Sequence, residues 1–119
     1  MASDCFPPTN SFVSGKVKAI RGSNEDRDAF VQAVNYAGFE AYEKALEECG
    51  GKYSFGDEIT LADVCLVAQM DVAVWYGVKF ERFPRVKAVY DRLMEVEAFK
   101  AANWKKQVDT PEKYREKAE

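Results

Sequence analysis

No histidine occurs among the 119 residues. That single absence removes the commonest general base, every Ser-His-Asp or Cys-His arrangement and most zinc geometries. Cysteine is scarce and odd in number: Cys5, Cys49 and Cys65 form no C-x-x-C pair, which excludes a disulfide framework and fits a reducing, cytoplasmic setting. Charge of neither sign dominates. Seventeen basic residues against twenty acidic ones give a net charge of −3, with no long-range pull toward nucleic acid or an anionic membrane surface. Lys100, Lys105 and Lys106 are diluted by Glu95, Glu97 and Asp109 and read as a solvated helical face. The longest apolar run, Leu66 to Tyr76, is interrupted by Gln69 and Asp71 and is too short to cross a bilayer, and no signal-like core stands at the start. A glycine-rich phosphate loop is missing as well, since Gly50-Gly51 follows a helical pattern and has no lysine-serine pair behind it. Neither a nucleic acid, a membrane nor a metal is an expected partner.

What is present is helical periodicity in every long segment, with no sustained strand alternation, so an all-α fold is predicted. By length the chain is one domain, 1–119, with the tail 104–119 peripheral. Pro7 and Pro8 require the first helix to begin near them or to kink there, and Phe12, Val13, Val17 and Ile20 then recur at helical spacing up to Gly22. A second helix is expected from Asn24 as N-cap, through Glu25, Asp26 and Asp28 in the first turns, to Cys49 and the Gly50-Gly51 stop. Its core face is read as Phe30, Val34, Ala37, Ala41 and Ala45 with Phe39, Tyr42 and Leu46. Gly38 costs about 1 kcal/mol in a helix unless another element crosses closely there.

Thr60 and Asp63 have the spacing of a reciprocal capping box, and Ile59 and Val64 that of the hydrophobic staple around it. The helix so opened, Leu61 to Tyr76, has only Asp63, Gln69 and Asp71 as polar residues, so it is expected to run buried through the centre, with Cys65 a small hydrophobe inside it. Gly77 ends it. Phe83-Pro84 opens a helix with Val86, Val89, Tyr90, Leu93 and Met94 on one side, and a short one around Val96 to Asn103 turns Phe99 and Ala102 inward. Beyond it Trp104, Val108 and Tyr114 are the apolar anchors, Asp109-Thr110-Pro111 is a helix start, and order depends on docking.

Candidate chemistry is thin. Glu43, Glu47 and Glu48, and Asp57 with Glu58, read as solvated carboxylates, and Asp63 as a structural one. No residue is assigned a catalytic role. Trp75 and Tyr76 suit either the core or the wall of an apolar pocket, and Phe6, Asn10 and Phe12 share a segment whose apolar side awaits a partner surface.

The block Phe55-Gly56-Asp57-Glu58-Ile59-Thr60-Leu61-Ala62-Asp63-Val64 resembles the sequence opening the central helix of the all-helical C-terminal domain of glutathione S-transferases. Cys65-Leu66-Val67 with Gln69, the kinked start Pro7-Pro8-Thr9-Asn10, Glu97-Ala98-Phe99 and the tail Gln107-Val108-Asp109-Thr110-Pro111 are similar to the zeta class, which includes maleylacetoacetate isomerase. The resemblance spans nearly the whole chain. It implies a bundle of five to six helices supplying a second-substrate pocket, with Phe6, Asn10, Phe12 and Trp75 as pocket candidates. It also implies that glutathione and the thiol-activating motif belong to a thioredoxin-like N-terminal domain, after which Met1-Ala2-Ser3-Asp4 begins. The chain alone is then inactive and lacks a cofactor, with that domain, another protein or a second copy as partner.

In the isomerases of this class a glutamine typically stands at Phe6 and a carboxylate-gripping arginine at Trp75. Arginine offers a bidentate fork that tryptophan lacks, so an apolar electrophile is favoured over a dicarboxylate unless Arg82 or Arg85 reaches the cleft. A stand-alone interaction module is the alternative, and ligand storage a third reading.

Overall fold

The computed structural model describes residues 1–115 and is built from six α-helices: α1 Phe6–Thr9, α2 Ser11–Arg21, α3 Asn24–Cys49, α4 Leu61–Trp75, α5 Pro84–Leu93 and α6 Glu97–Ala102. Two 3₁₀ turns, Trp104–Lys106 and Glu112–Tyr114, form the tail. Among the described residues no strand occurs; two isolated bridges, Gly50 with Gly56 and Phe55 with Glu58, fold the loop before α4. Residues 116–119 of the tail lie outside the described residues.

The proline-rich start is two helices rather than one. Pro7 and Pro8 suit the first turn of α1, the chain breaks at Asn10, and the Asn10 side chain restarts it by accepting from the Phe12 N–H at 2.9 Å. Gly22 closes α2 in the left-handed region at φ 88°. Ser23, not Asn24, caps α3: its hydroxyl accepts from the Asp26 N–H at 3.0 Å, so the helix begins one residue earlier than the sequence suggests.

α3 packs against α1, α2, α4 and α5. Its buried stripe is Val31, Asn35, Phe39 and Leu46, with Tyr42 half-buried against the core; Phe39, Tyr42 and Leu46 of the expected face thus pack inward, whereas Ala37, Ala41 and Ala45 are exposed. The larger side chains decide the rotation because they bury more area per residue, and alanine loses little in water. Phe39, Leu46, Leu66, Met70, Val86, Val89 and Leu93 belong to one core, with Phe80 and Phe83 edge-on or tilted against Phe39 at 5.0 and 6.0 Å.

Buried polar contacts tie the helices in register. Gln69 Nε2 donates to Asn35 Oδ1 at 2.7 Å and to Thr9 Oγ1 at 3.2 Å, and Asn35 Nδ2 donates to the Val31 carbonyl at 2.9 Å. All three side chains are buried, so α1, α3 and α4 share one network. Glu43 is not a solvated carboxylate. Its two oxygens accept from the Arg85 and Val86 N–H groups at 3.0 and 2.9 Å, so α3 supplies the cap that Phe83 cannot give to α5. Arg85 adds ion pairs to Glu43 and Glu47 at 3.3 and 3.1 Å.

The central helix departs most from expectation. α4 buries one face only, Asp63, Leu66, Gln69, Met70 and Ala73, whereas Leu61 is 81% exposed and Val74 59%. Cys65 is half-buried. An apolar circumference predicts burial on all sides, and these helices cover only one.

Candidate functional site

The start of α4 is held by its own sequence. Thr60 and Asp63 form a capping box. The carboxylate half is the firmer one: Asp63, wholly buried, accepts the Thr60 N–H at 2.8 Å through one oxygen and the Ser54 N–H at 2.9 Å through the other. The hydroxyl half is looser, since the Asp63 N–H also lies 3.1 Å from the Thr60 carbonyl and Thr60 Oγ1 sits 3.4 Å from the Asp63 carboxylate. Asp63 therefore joins the helix to the preceding loop, which Tyr42 fixes to α3 by donating to Ser54 Oγ at 2.8 Å. Ile59 and Val64 are 41% and 50% exposed and form part of a cleft wall rather than a closed staple.

That cleft lies between the uncovered face of α4 and the C-terminal segment. Val64, Val67, Val72 and Trp75 form one wall, and Phe99 and Ala102 of α6 with Trp104 and Tyr114 of the tail form the other. Its volume is about 910 Å³. This lies at the upper end of the roughly 300–1,000 Å³ typical of small-molecule sites. A smaller cleft of about 670 Å³ on the other side shares Asp71, Trp75, Trp104 and Tyr114 and adds Tyr90, Lys105 and Lys113.

An aromatic trio divides the two compartments. Trp75 packs edge-to-face on Trp104 at 5.9 Å and on Tyr114 at 5.2 Å, with Trp104 and Tyr114 6.1 Å apart. The tail docks through this cluster, whereas Val108, expected as an anchor, is 95% exposed. Thr110 and Arg115 hold the tail in shape: the Thr110 hydroxyl donates to the Trp104 carbonyl, and Arg115 donates to the Val108 and Thr110 carbonyls at 2.8 Å.

Asp71 is the polar group that sequence reasoning passed over. Burial pushes its carboxyl above the ordinary carboxylate value, opposed by a 3.3 Å hydrogen bond from the Tyr90 hydroxyl and by the Lys105 charge. Tyr90 is itself pushed up to about 12, by burial first and then by the charge of Asp71, so it is a phenol and a donor at neutral pH. An acidic residue one turn before Trp75 in an otherwise apolar run was the available signal. Of the candidates chosen from the sequence, Trp75 lines the cleft. Phe6, Asn10 and Phe12 lie on α1 and α2 outside its lining, with Phe6 and Phe12 exposed and Asn10 engaged as a helix cap. Arg82 stacks on Tyr36 and Phe83 and Arg85 pairs with α3, so neither reaches the cleft. No group of three histidine, cysteine or acidic side chains placed to hold a metal occurs among the described residues.

The family model for the glutathione S-transferase C-terminal domain matches residues 12–106. The chain belongs to this family. A maleylacetoacetate isomerase of Aspergillus fumigatus is 40% identical over 115 residues, 97% of this chain and 48% of the relative. Among solved structures, a bacterial zeta-class maleyl pyruvate isomerase superposes with a TM-score of 0.87 at 33% identity, over 92% of this chain and 53% of that one. The maleylacetoacetate isomerase of Anaeromyxobacter dehalogenans, solved with dicarboxyethyl glutathione and citrate in its active site, gives 0.87 at 27% identity, over 98% and 52%. This glutathione S-transferase domain is thus similar to the zeta class, and it spans about half the length of the curated relatives it matches. Among its described residues no helix is long and apolar enough to cross a membrane.

Proposed function

We propose that this domain forms the second-substrate wall of a zeta-like, glutathione-dependent isomerase or transferase of the cytoplasm. Glutathione and the group that activates its thiol belong to a thioredoxin-like domain, in the same polypeptide or as a partner. The observation that carries the reading is the cleft itself. It has apolar walls of the size a small electrophile needs, and no nucleophile–base pair lines it among the described residues. Such a site can bind and orient an electrophile and exclude water from it, and the reaction needs a thiolate brought from outside.

Trp75 argues for an apolar electrophile. A dicarboxylate needs cationic forks, and neither Arg82 nor Arg85 lines the cleft. The uncovered side of α4, with Leu61, Val64 and Val74 exposed, is the face offered to the glutathione-binding domain or to a second copy. A stand-alone interaction module would use the same face.

The test is a chimera joining this domain to the N-terminal domain of the Aspergillus fumigatus relative. It is expected to conjugate glutathione to 1-chloro-2,4-dinitrobenzene, to act poorly on maleylacetoacetate, and to lose conjugation on Trp75→Ala, while the chain alone is inactive. A chimera that folds and binds glutathione without turnover would instead favour the interaction module.

A further inference from the structure

We propose that Asp71 makes the cleft selective for predominantly apolar ligands carrying one hydrogen-bond-donating group, neutral or cationic, and sets it against anions. The inference deepens the reading of the cleft as a small-molecule pocket and rests on it.

Among the described residues Asp71 is the only carboxylate lining either compartment, and it stands at their junction beside Trp75. Among the described residues Tyr90 is its only hydrogen-bond donor, and that bond engages one oxygen, Oδ1. The second oxygen is available to a ligand. A half-buried carboxylate with apolar neighbours has lost part of its hydration, so a donor arriving with an apolar body restores what burial removed. An anion meets the reverse situation: among the described residues no lysine or arginine lines the larger compartment, and its charge would face Asp71 across apolar walls. The two lysines of the smaller compartment stand over aromatic rings, Lys113 over Tyr114 at 4.6 Å and Lys105 over Trp104 at 6.0 Å. Among the described residues neither lysine lines the larger cleft, although the Lys105 charge reaches Asp71 from the smaller compartment and partly offsets its own.

The experiment uses two probes with one ring system, 1-naphthylmethylamine, an ammonium at pH 7, and 1-naphthoate. Calorimetric titration of the intact chain should give the ammonium an affinity about tenfold or more above the carboxylate, the scale of one hydrogen bond to a charged group. Asp71→Asn should bring the two within about twofold, and Trp75→Ala should weaken both. Equal wild-type affinities, a preference for naphthoate, or an unchanged ratio in Asp71→Asn with native circular dichroism would overturn the inference. The wild-type comparison decides by itself if the variant does not fold. Binding of both probes without preference defeats the charge selectivity alone, whereas binding of neither defeats the pocket reading with it.

Discussion

The Cys5 side chain occupies the space that a β-carbon at residue 38 would fill, so α3 and the segment opening α1 touch only because residue 38 is glycine. Cys5 is buried there, 29 residues away from its sulfur's contact at the Val34 carbonyl. Alanine ordinarily favours a mid-helix site over glycine by about 1 kcal/mol. Here the sign should reverse. Gly38→Ala is expected to cost about 1–3 kcal/mol, the range for overpacking, and Cys5→Ala in the same chain should recover much of it. Urea melts of the two single variants and the double variant check this; additive losses would show that the clash is not between these two residues.

Glu43→Ala removes the cap of α5 and leaves the Arg85 and Val86 amides without their acceptor. A loss of about 1–2 kcal/mol is expected in urea denaturation, with Glu43→Gln intermediate because one acceptor survives. Glu48→Ala, an exposed neighbour, should fall within about 0.5 kcal/mol of wild type.

Thr60→Ala should cost about 0.5–2 kcal/mol, the usual range for an N-cap. Asp63→Ala should cost more, since Asp63 is buried and also serves the Ser54 amide in the preceding loop. A double-mutant cycle is expected to show coupling, because the Thr60 hydroxyl, which Thr60→Ala removes, lies 3.4 Å from the Asp63 carboxylate. Strict additivity would assign the two residues independent roles.

Asp71 links stability to pH. Its folded value lies above the ordinary carboxylate value, so the folded chain holds this proton more tightly than the unfolded one. The corresponding stabilisation is complete below the unfolded value and is lost as pH rises through the folded one. Asp71→Asn, which keeps the neutral form at every pH, should therefore be more favourable relative to wild type at pH 7 than at pH 3. Thermal melts at the two pH values read this difference, and a constant offset would mean that burial does not burden the carboxylate.

Trp75→Arg dismantles the aromatic trio that docks the tail and places a cation beside Asp71. Quenching of Trp104 fluorescence by acrylamide should increase, and self-association through the uncovered face of α4 should weaken in sedimentation velocity. A wild-type chain that sediments as a monomer at high concentration and binds no apolar dye would remove the case for that face as an interface.

The helices were legible in the sequence because their signals are local. Thr60 and Asp63 are three residues apart, Gly22 and Gly77 end helices where a positive φ is needed, and Pro84 opens one with its preset φ. Apolar periodicity likewise exposed an all-α chain, and the block from Phe55 to Gln69 carried the family. Which face each helix buries was decided by partners distant in sequence. On α3, Val31 and Asn35 joined the expected Phe39 and Leu46 inside while the alanines stayed out, Glu43 became the cap of a helix more than forty residues on, and the surroundings of α4 left half of an apolar helix uncovered. The cleft belongs to this second kind of information. Trp75, Trp104 and Tyr114 meet only when the tail folds back across α4, and Asp71 gains its character from the depth at which Tyr90 meets it. Sequence specifies hydrogen bonds and dihedral preferences within a turn or two, whereas burial and local dielectric are properties of everything packed around a group. The tertiary structure alone sets those.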